Sequence, residues 1–322
     1  MKNKVIATAL LLTLIFPFMA LAADFPTKPV QIIVPWSAGG ATDLIFRAIA
    51  SVFPKYANGQ PLVINNIPGA GAVTGVTEFL KAKPDGYTLI SLATPIITKI
   101  HWSEVKFTVD DFLPIINIVN DPSYILVRSN SPYKTLNDLI EAARKNPETI
   151  TMGNGGAGGG NHLVAVAFEE FVGVKFVHVP YNGGGPAITA LLGGVVDSVM
   201  AAAPEGVSNV QNGDLRVLAV MGPSRLSIFP DAPTALEYGY DFRLGMWRGV
   251  AAPKGTPLET VKALHDIFYK CMNDPEFLAK AKELGSVLSY MDSASFQSFV
   301  RQQNQFWENL MKSKKLGEKY GQ

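Results

Sequence analysis

Apolar positions along this chain switch repeatedly between two periods. VQIIVPW (30–36), PLVINNIP (61–68) and GYTLISLAT (86–94) are short, β-branched-rich runs of strand character. Between them, LIFRAIASVFPKY (44–56) and GAGAVTGVTEFLKA (69–82) carry apolar residues at helical spacing. A second series follows: helix TLNDLIEAARKN (135–146), strand TITMGN (149–154), helix HLVAVAFEEFVG (162–173), strand KFVHVPY (175–181), helix PAITALLGG (186–194), and strands VDSVMAA (196–202) and LRVLAVM (215–221). Strands that alternate with helices predict mostly parallel sheets covered on both faces, hence an α/β fold in two lobes.

Two long strand-like stretches, 116–132 and 215–233, predict the connections between the lobes. One leads out and the other leads back, so residues 23–129 and 223–322 form a discontinuous first lobe and residues 130–222 the second. Three C-terminal helical runs (257–273, 275–285 and 295–312) return to the first lobe. The expected result is a hinged cleft.

Glycine marks the ends of several predicted strands. Six glycines fall between 153 and 160, immediately before a helix, and WSAGGATD (36–43), PGAGAV (68–73) and YNGGGPA (181–187) repeat the pattern. In parallel α/β sheets ligands gather beyond the carboxyl ends of the strands. The first N–H groups of a helix lack intrahelical acceptors there, and the helix dipole favours an anion. Thr42 or Asp43 is the expected cap of the first such helix. PGAGAV reads equally well as a turn that only joins strand to helix.

Composition narrows the chemistry. The chain has 322 residues, 48% hydrophobic and 17% charged, which suits a globular protein with a sizeable core. Residues 1–22 combine Lys2 and Lys4, an apolar run and the pattern Ala20-Leu21-Ala22, and so read as a cleavable secretory signal rather than an anchor. Their removal shifts the formal net charge from +1 to −1, which argues against a nucleic-acid surface. The single Cys271, in a helical run, is expected to be a buried structural thiol.

Enzymatic constellations are poorly represented. Gly153, Gly155 and Gly158 satisfy G-x-G-x-x-G, but the following strand ends in Tyr181-Asn182 rather than the acid a dinucleotide ribose needs. The chain contains no H-E-x-x-H, G-x-S-x-G or P-loop motif, and His101, His162, His178 and His265 are scattered. His162 reads either as a packed residue or as a ligand contact. Binding without catalysis, cofactor or metal is the better reading.

In order along the chain, PTKPVQIIVPWSAGGATD, PGAGAVTG, KPDGYTL, HVPYNGGGPAITALLGGVVD, LRVLAVMGPSRLSIFPDAPTALEYGY and APKGTP resemble the receptors of tripartite tricarboxylate transporters, the Bug family. The resemblance runs from about Phe25 to the C-terminus. It implies a type II-like periplasmic binding protein, a monomer, that closes around a small di-, tri- or aromatic carboxylate. The ligand would pass to a permease of one large and one small membrane subunit; the same closed form would also suit a signalling partner.

By the same resemblance, the ligand residues of the first lobe are Trp36, Ser37, Ala38, Gly39, Gly40 and Asp43, with Ala93, Thr94 and Pro95. Those of the second lobe are Gly155, Gly156, Ala157, Gly158, Gly159, Gly160 and Asn161, with Tyr181, Asn182 and Gly183. Family members often carry an acidic or polar residue where this chain has Ala201-Ala202-Ala203-Pro204, so a ligand without an amine is expected. Trp247 reads as a cleft wall or a hinge packing residue, and Arg248 as a ligand partner or a solvated charge.

Overall fold

A computed structural model describes residues 25–181 and 183–321; the expected signal at 1–22 lies outside the described residues. The first series of elements is β1 (Val30–Val34), α1 (Ala41–Val52), β2 (Leu62–Asn66), α2 (Val73–Phe79), β3 (Thr88–Ala93) and α3 (Thr94–Trp102). β4 (Phe112–Arg128) leads into α4 (Leu136–Lys145), β5 (Thr151–Asn154), α5 (Gly160–Val172), β6 (Val177–Pro180), α6 (Gly184–Leu192), β7 (Ser198–Ala202), α7 (Val207–Gln211) and β8 (Leu215–Val220). The chain ends with β9 (Gly245–Pro253), α8 (Leu258–Met272), α9 (Pro275–Glu283), β10 (Leu288–Met291), α10 (Ser293–Lys314) and α11 (Gly317–Tyr320).

These strands form two sheets that share β4. The first pairs β1 in parallel with β2 and β3; the second pairs β5 in parallel with β6 and β7. The remaining pairings, β3 with β9, and β4 with β7, β8, β9 and β10, are antiparallel, so each sheet is mixed rather than mostly parallel throughout. The cause is the chain path. β4 and β9 travel between the lobes in opposite directions, and sequential strands that run back past each other pair antiparallel.

β4 changes sheets at Pro122: residues up to Pro122 pair with β9, and Ser123 onwards with β7. Proline tolerates this place because the ladder is changing partners there. The return differs from the long second strand expected over 215–233. β8 stops at Val220, after which Pro223, Pro230 and Pro233 withdraw donors, and the chain crosses back as β9. At the crossing Met221 N–H donates to Ser123 C=O, Ser123 N–H to Leu244 C=O, and Leu244 N–H to Met221 C=O.

Five elements were not anticipated: α3, α7, β9, β10 and α11. TPIITKIHW is β-branched-rich, yet Pro95 suits a first helical turn and the helix is stabilised by burying Ile96, Ile97 and Ile100. One core is continuous between the lobes, joining α3, Phe296, Trp307 and Met311 of α10, and Leu163, Val164, Ala167 and Phe168 of α5. Trp247 belongs to it, fully buried with edge-on contacts to Phe296 and Phe299, and so is a packing residue. Cys271 is buried, and desolvation pushes its thiol up to about 12, leaving it inert.

Candidate functional site

The loop after β1 is exposed from Ser37 to Gly40, with Trp36 half-buried. Its shape is imposed from below by Asp43, which is 1% exposed. Asp43 Oδ2 accepts from Gly39 N–H and from Arg47 Nε, both at 2.8 Å, and Oδ1 accepts from Asn66 Nδ2 at 3.0 Å. Asn66 Nδ2 also donates to Trp36 C=O at 3.1 Å. Burial pushes the Asp43 carboxyl up, but the bonds from Arg47, Gly39 and Asn66 outweigh it and hold it below the usual range. Both oxygens are occupied, so Asp43 positions the loop.

Gly39 needs its glycine for a left-handed turn, φ +80°. Gly40, the residue before the first turn of α1, is extended at φ −77°, ψ 166° and has room for a side chain. Neither Thr42 nor Asp43 caps this helix in the expected way: no side chain bonds the first-turn amides from the cap position. Thr42 Oγ1 instead accepts from Arg248 Nε at 3.1 Å.

Arg248 is neither a ligand-facing guanidinium nor a solvated charge. It is 6% exposed on β9, and its second nitrogen, Nη1, is paired with Asp121 at the point where β4 changes sheets. Asp121 Oδ1 also accepts from Val287 N–H at 2.7 Å. Burial pushes the Asp121 carboxyl up to about 6, opposed by Arg248 and the Val287 amide, so the pair is ionised at neutral pH. The pair ties the start of α1 to the crossing strand. Beside it, Thr94 is fully buried and accepts from Trp247 N–H at 3.1 Å, Ala93 is buried, and Pro95 stands half-buried at the start of α3.

The glycine run of the second lobe divides into two faces. A Cβ at Gly158 would fall inside the Trp102 indole, and one at Gly160 inside Met246. These two glycines admit side chains from the first lobe at close range, and Thr98 Oγ1 reinforces the contact by donating to Gly158 C=O at 3.1 Å. Gly158 N–H donates to His162 Nδ1 at 3.1 Å, Gly156 N–H to Asn154 Oδ1, and Gly159 N–H to Gly156 C=O. Gly155 and Ala157 are exposed.

The second glycine turn adjoins the first. Gly155 lies against the backbone of Gly183 and Gly184, and Tyr181 N–H donates to Asn154 C=O at 3.0 Å. Asn182 lies outside the described residues. Asn154 Nδ2 is buried and has no partner among the described residues. Asn161 is buried, accepts from Ser123 Oγ at 3.4 Å, and donates through Nδ2 to Glu205 Oε2 at 3.1 Å. The structure thus gathers Gly155, Gly156, Asn161, Tyr181 and Gly183, and turns Gly158 and Gly160 toward interlobe packing.

Glu205 is the residue that sequence reading passed over. The stretch Ala201-Ala202-Ala203-Pro204 has no acid, but the next residue places a half-buried carboxyl among the turns. The signal was a lone acid in a Gly/Pro-bounded loop at the end of a buried strand. Trp102 and Met246 were also missed, because the partners that demand Gly158 and Gly160 are distant in sequence.

His162 is a packed residue. It meets Trp102 and His178 edge-on at 5.4 and 4.9 Å, and burial pushes it down to about 4, with His178 adding to the effect and Glu169 opposing it. Its folded pKa lies below the unfolded value, so its contribution to stability is present above about pH 6.5 and lost as pH falls toward 4, by about 3 kcal/mol. Asp121 runs the other way, since a raised acid pKa favours the folded state at low pH and loses that advantage as pH rises through about 6. The two oppose each other between about pH 4 and 6. Removing the histidine with His162→Asn is expected to take away its rising contribution: the slope of unfolding free energy with pH, measured by urea titration from pH 4 to 6.5, should be more negative in the variant than in the wild type.

Two parallel strand sets with glycine turns at their carboxyl ends, joined by crossing strands, define a two-lobed periplasmic binding protein. Among the described residues no helix is long and apolar enough to cross a membrane. The family model for the tripartite tricarboxylate transporter family receptor matches residues 45–316, and this chain belongs to that family of substrate-binding receptors, which operates in the periplasm. It is 36% identical over 320 residues to the "UPF0065 protein in gbd 5'region" of Cupriavidus necator, covering 98% of this chain and 94% of that one. It is also similar to MatC from Rhodopseudomonas palustris with bound malate (TM-score 0.79, 26% identity, 89% and 99% of the two chains). A second R. palustris protein, with adipate, aligns at TM-score 0.83 and 28% identity over 90% and 98%.

Proposed function

We propose that this receptor captures a small organic carboxylate between its lobes and delivers it to a tripartite transporter with a large and a small membrane subunit. The observation that carries the reading is the exposed Ser37–Gly40 loop at the start of α1, held in shape by Asp43 with no charge of its own. Backbone amides at a helix start, with a hydroxyl beside them, suit one carboxylate. In the second lobe the amides that remain for a ligand are those of Gly155, Ala157 and the first turn of α5, with Asn154 Nδ2 as an additional donor. Malate and adipate, bound by the two relatives, belong to the same chemical class.

The proposal includes a signal at 1–22 removed on export, lobes of 23–129 with 223–322 and of 130–222, and a monomer that needs no cofactor. The change of sheet at Pro122–Ser123 and the return through Met221–Leu244 support that division, with the outward crossing a few residues earlier than Asn130. Each lobe offers part of the ligand's contacts, so ligand favours the closed arrangement.

The test is thermal unfolding of the chain from Ala23 against dicarboxylates, tricarboxylates, aromatic and hydroxy acids, amino acids and NAD, since a ligand of the folded state raises the midpoint. One carboxylate class is expected to give a shift. Gly40→Leu should then abolish that shift while the protein still unfolds cooperatively, because its backbone accepts any residue and only the loop surface is covered. An undiminished shift in Gly40→Leu, or a shift with NAD alone, would overturn the reading.

A further inference from the structure

β5, β6 and β7 run parallel and end at Asn154, Pro180 and Ala202, the kind of edge at which parallel α/β sheets gather ligands. Glu205 enters this edge from the loop between β7 and α7. Its carboxyl lies against Gly184 at the start of α6, where a Cβ would fall on it, so the absence of a side chain at Gly184 makes its room. Oε2 accepts from Asn161 Nδ2 at 3.1 Å and, more weakly, from Ala202 N–H at 3.4 Å. Among the described residues, both hydrogen bonds fall on Oε2; Oε1 is turned toward Gly184. The backbone of the same residue is fixed by Tyr124, whose hydroxyl donates to Glu205 C=O at 2.7 Å.

The charges around this point do not balance. No cation forms an ion pair with Glu205 among the described residues: burial pushes its carboxyl up, and Arg248, the charge that opposes this, is already paired with Asp121. Two acids thus share one guanidinium. A second carboxylate brought from a ligand to this wall would meet excess negative charge in a partly desolvated place, where like-charge contact is costly. A hydroxyl or ammonium would find an acceptor already held in position.

We infer that Glu205 is a specificity-determining residue which makes this receptor prefer a monocarboxylate with a hydrogen-bond donor at its far end over a dicarboxylate of the same length. The inference rests on the carboxylate-receptor reading: the carboxylate binds the Ser37–Gly40 loop, and the donor meets Glu205. It reverses the expectation, drawn from Ala201-Ala202-Ala203-Pro204, that a ligand amine would find no counter-charge.

Length-matched sets of probes test it: succinate, 4-hydroxybutyrate and 4-aminobutyrate, then the five- and six-carbon equivalents, each titrated by calorimetry and thermal shift into wild type and Glu205→Gln. In the wild type the hydroxy or amino member of one set is expected to bind at least about tenfold more tightly than its dicarboxylate. In Glu205→Gln, which keeps the shape and removes the charge, the dicarboxylate should gain by a similar factor and the preference should close. A wild type that binds the dicarboxylate as tightly as its partners, or tighter, overturns the inference and leaves the receptor reading standing, and this outcome does not depend on the variant folding. Equal selectivity in wild type and a folded Glu205→Gln also overturns it. Failure of every carboxylate, in these sets and in the wider panel, removes the receptor reading and the inference together.

Discussion

Asp121→Ala is expected to lower the unfolding free energy by about 3–5 kcal/mol, because it leaves the buried Arg248 guanidinium without its direct partner. It also deprives Val287 N–H of an acceptor at the base of β10. Asp121→Asn should cost less, since an amide oxygen can still accept from Val287. Replacing both members of the pair by apolar residues, Asp121→Leu with Arg248→Met, should cost less than Asp121→Ala alone, because no uncompensated charge remains. Urea unfolding at pH 7.5, where Asp121 is ionised, measures all three. A loss below about 1 kcal/mol for Asp121→Ala would mean the pair is hydrated like a surface ion pair, and that it does not clamp the crossing strands.

Gly158→Ala carries the second large effect. At φ +71° an L-residue costs about 1–2 kcal/mol, and the added methyl would press into the Trp102 indole for about 1–3 kcal/mol more. The expected loss is about 2–5 kcal/mol, from one methyl group. The steric share can be separated by a double-mutant cycle with Trp102→Leu, which should cost less in the Gly158→Ala background than in the wild type. Strict additivity would show that the indole does not press on this turn, and would leave backbone conformation as the whole cost.

The pattern of alternating strands and helices made the α/β class legible, because buried strands and amphipathic helices leave local periodic traces. α4 was equally plain: Thr135 and Asp138 form a reciprocal cap around its first turn, three residues apart in sequence. α3 was not, since Ile96, Ile97 and Thr98 favour strand until burial against α5 and α10 decides for helix. β9 was obscured by Gly245 and Gly249. At Gly249 the backbone of Ile116 and the ring of Phe296 leave no space for a Cβ, a requirement that only the assembled sheet creates.

The candidate site divides along the same line. The glycine turns at 36–43, 153–160 and 181–185 announce themselves, because backbone exposure at a helix start needs glycine whatever surrounds it. Their separate tasks do not: Gly39 turns a loop, while Gly158 and Gly160 make room for Trp102 and Met246. By itself the sequence determined the fold class, the positions of the strand-end turns and the absence of a recognisable catalytic motif, all of which are encoded within a few consecutive residues. Only the tertiary structure decided that Arg248 pairs with Asp121, that Thr42 serves Arg248 and not a helix cap, and that Glu205 stands among the second-lobe turns. Those contacts join residues from 44 to more than 200 positions apart, and an ion pair or a Cβ clash has no meaning until the chain has brought both partners to one place.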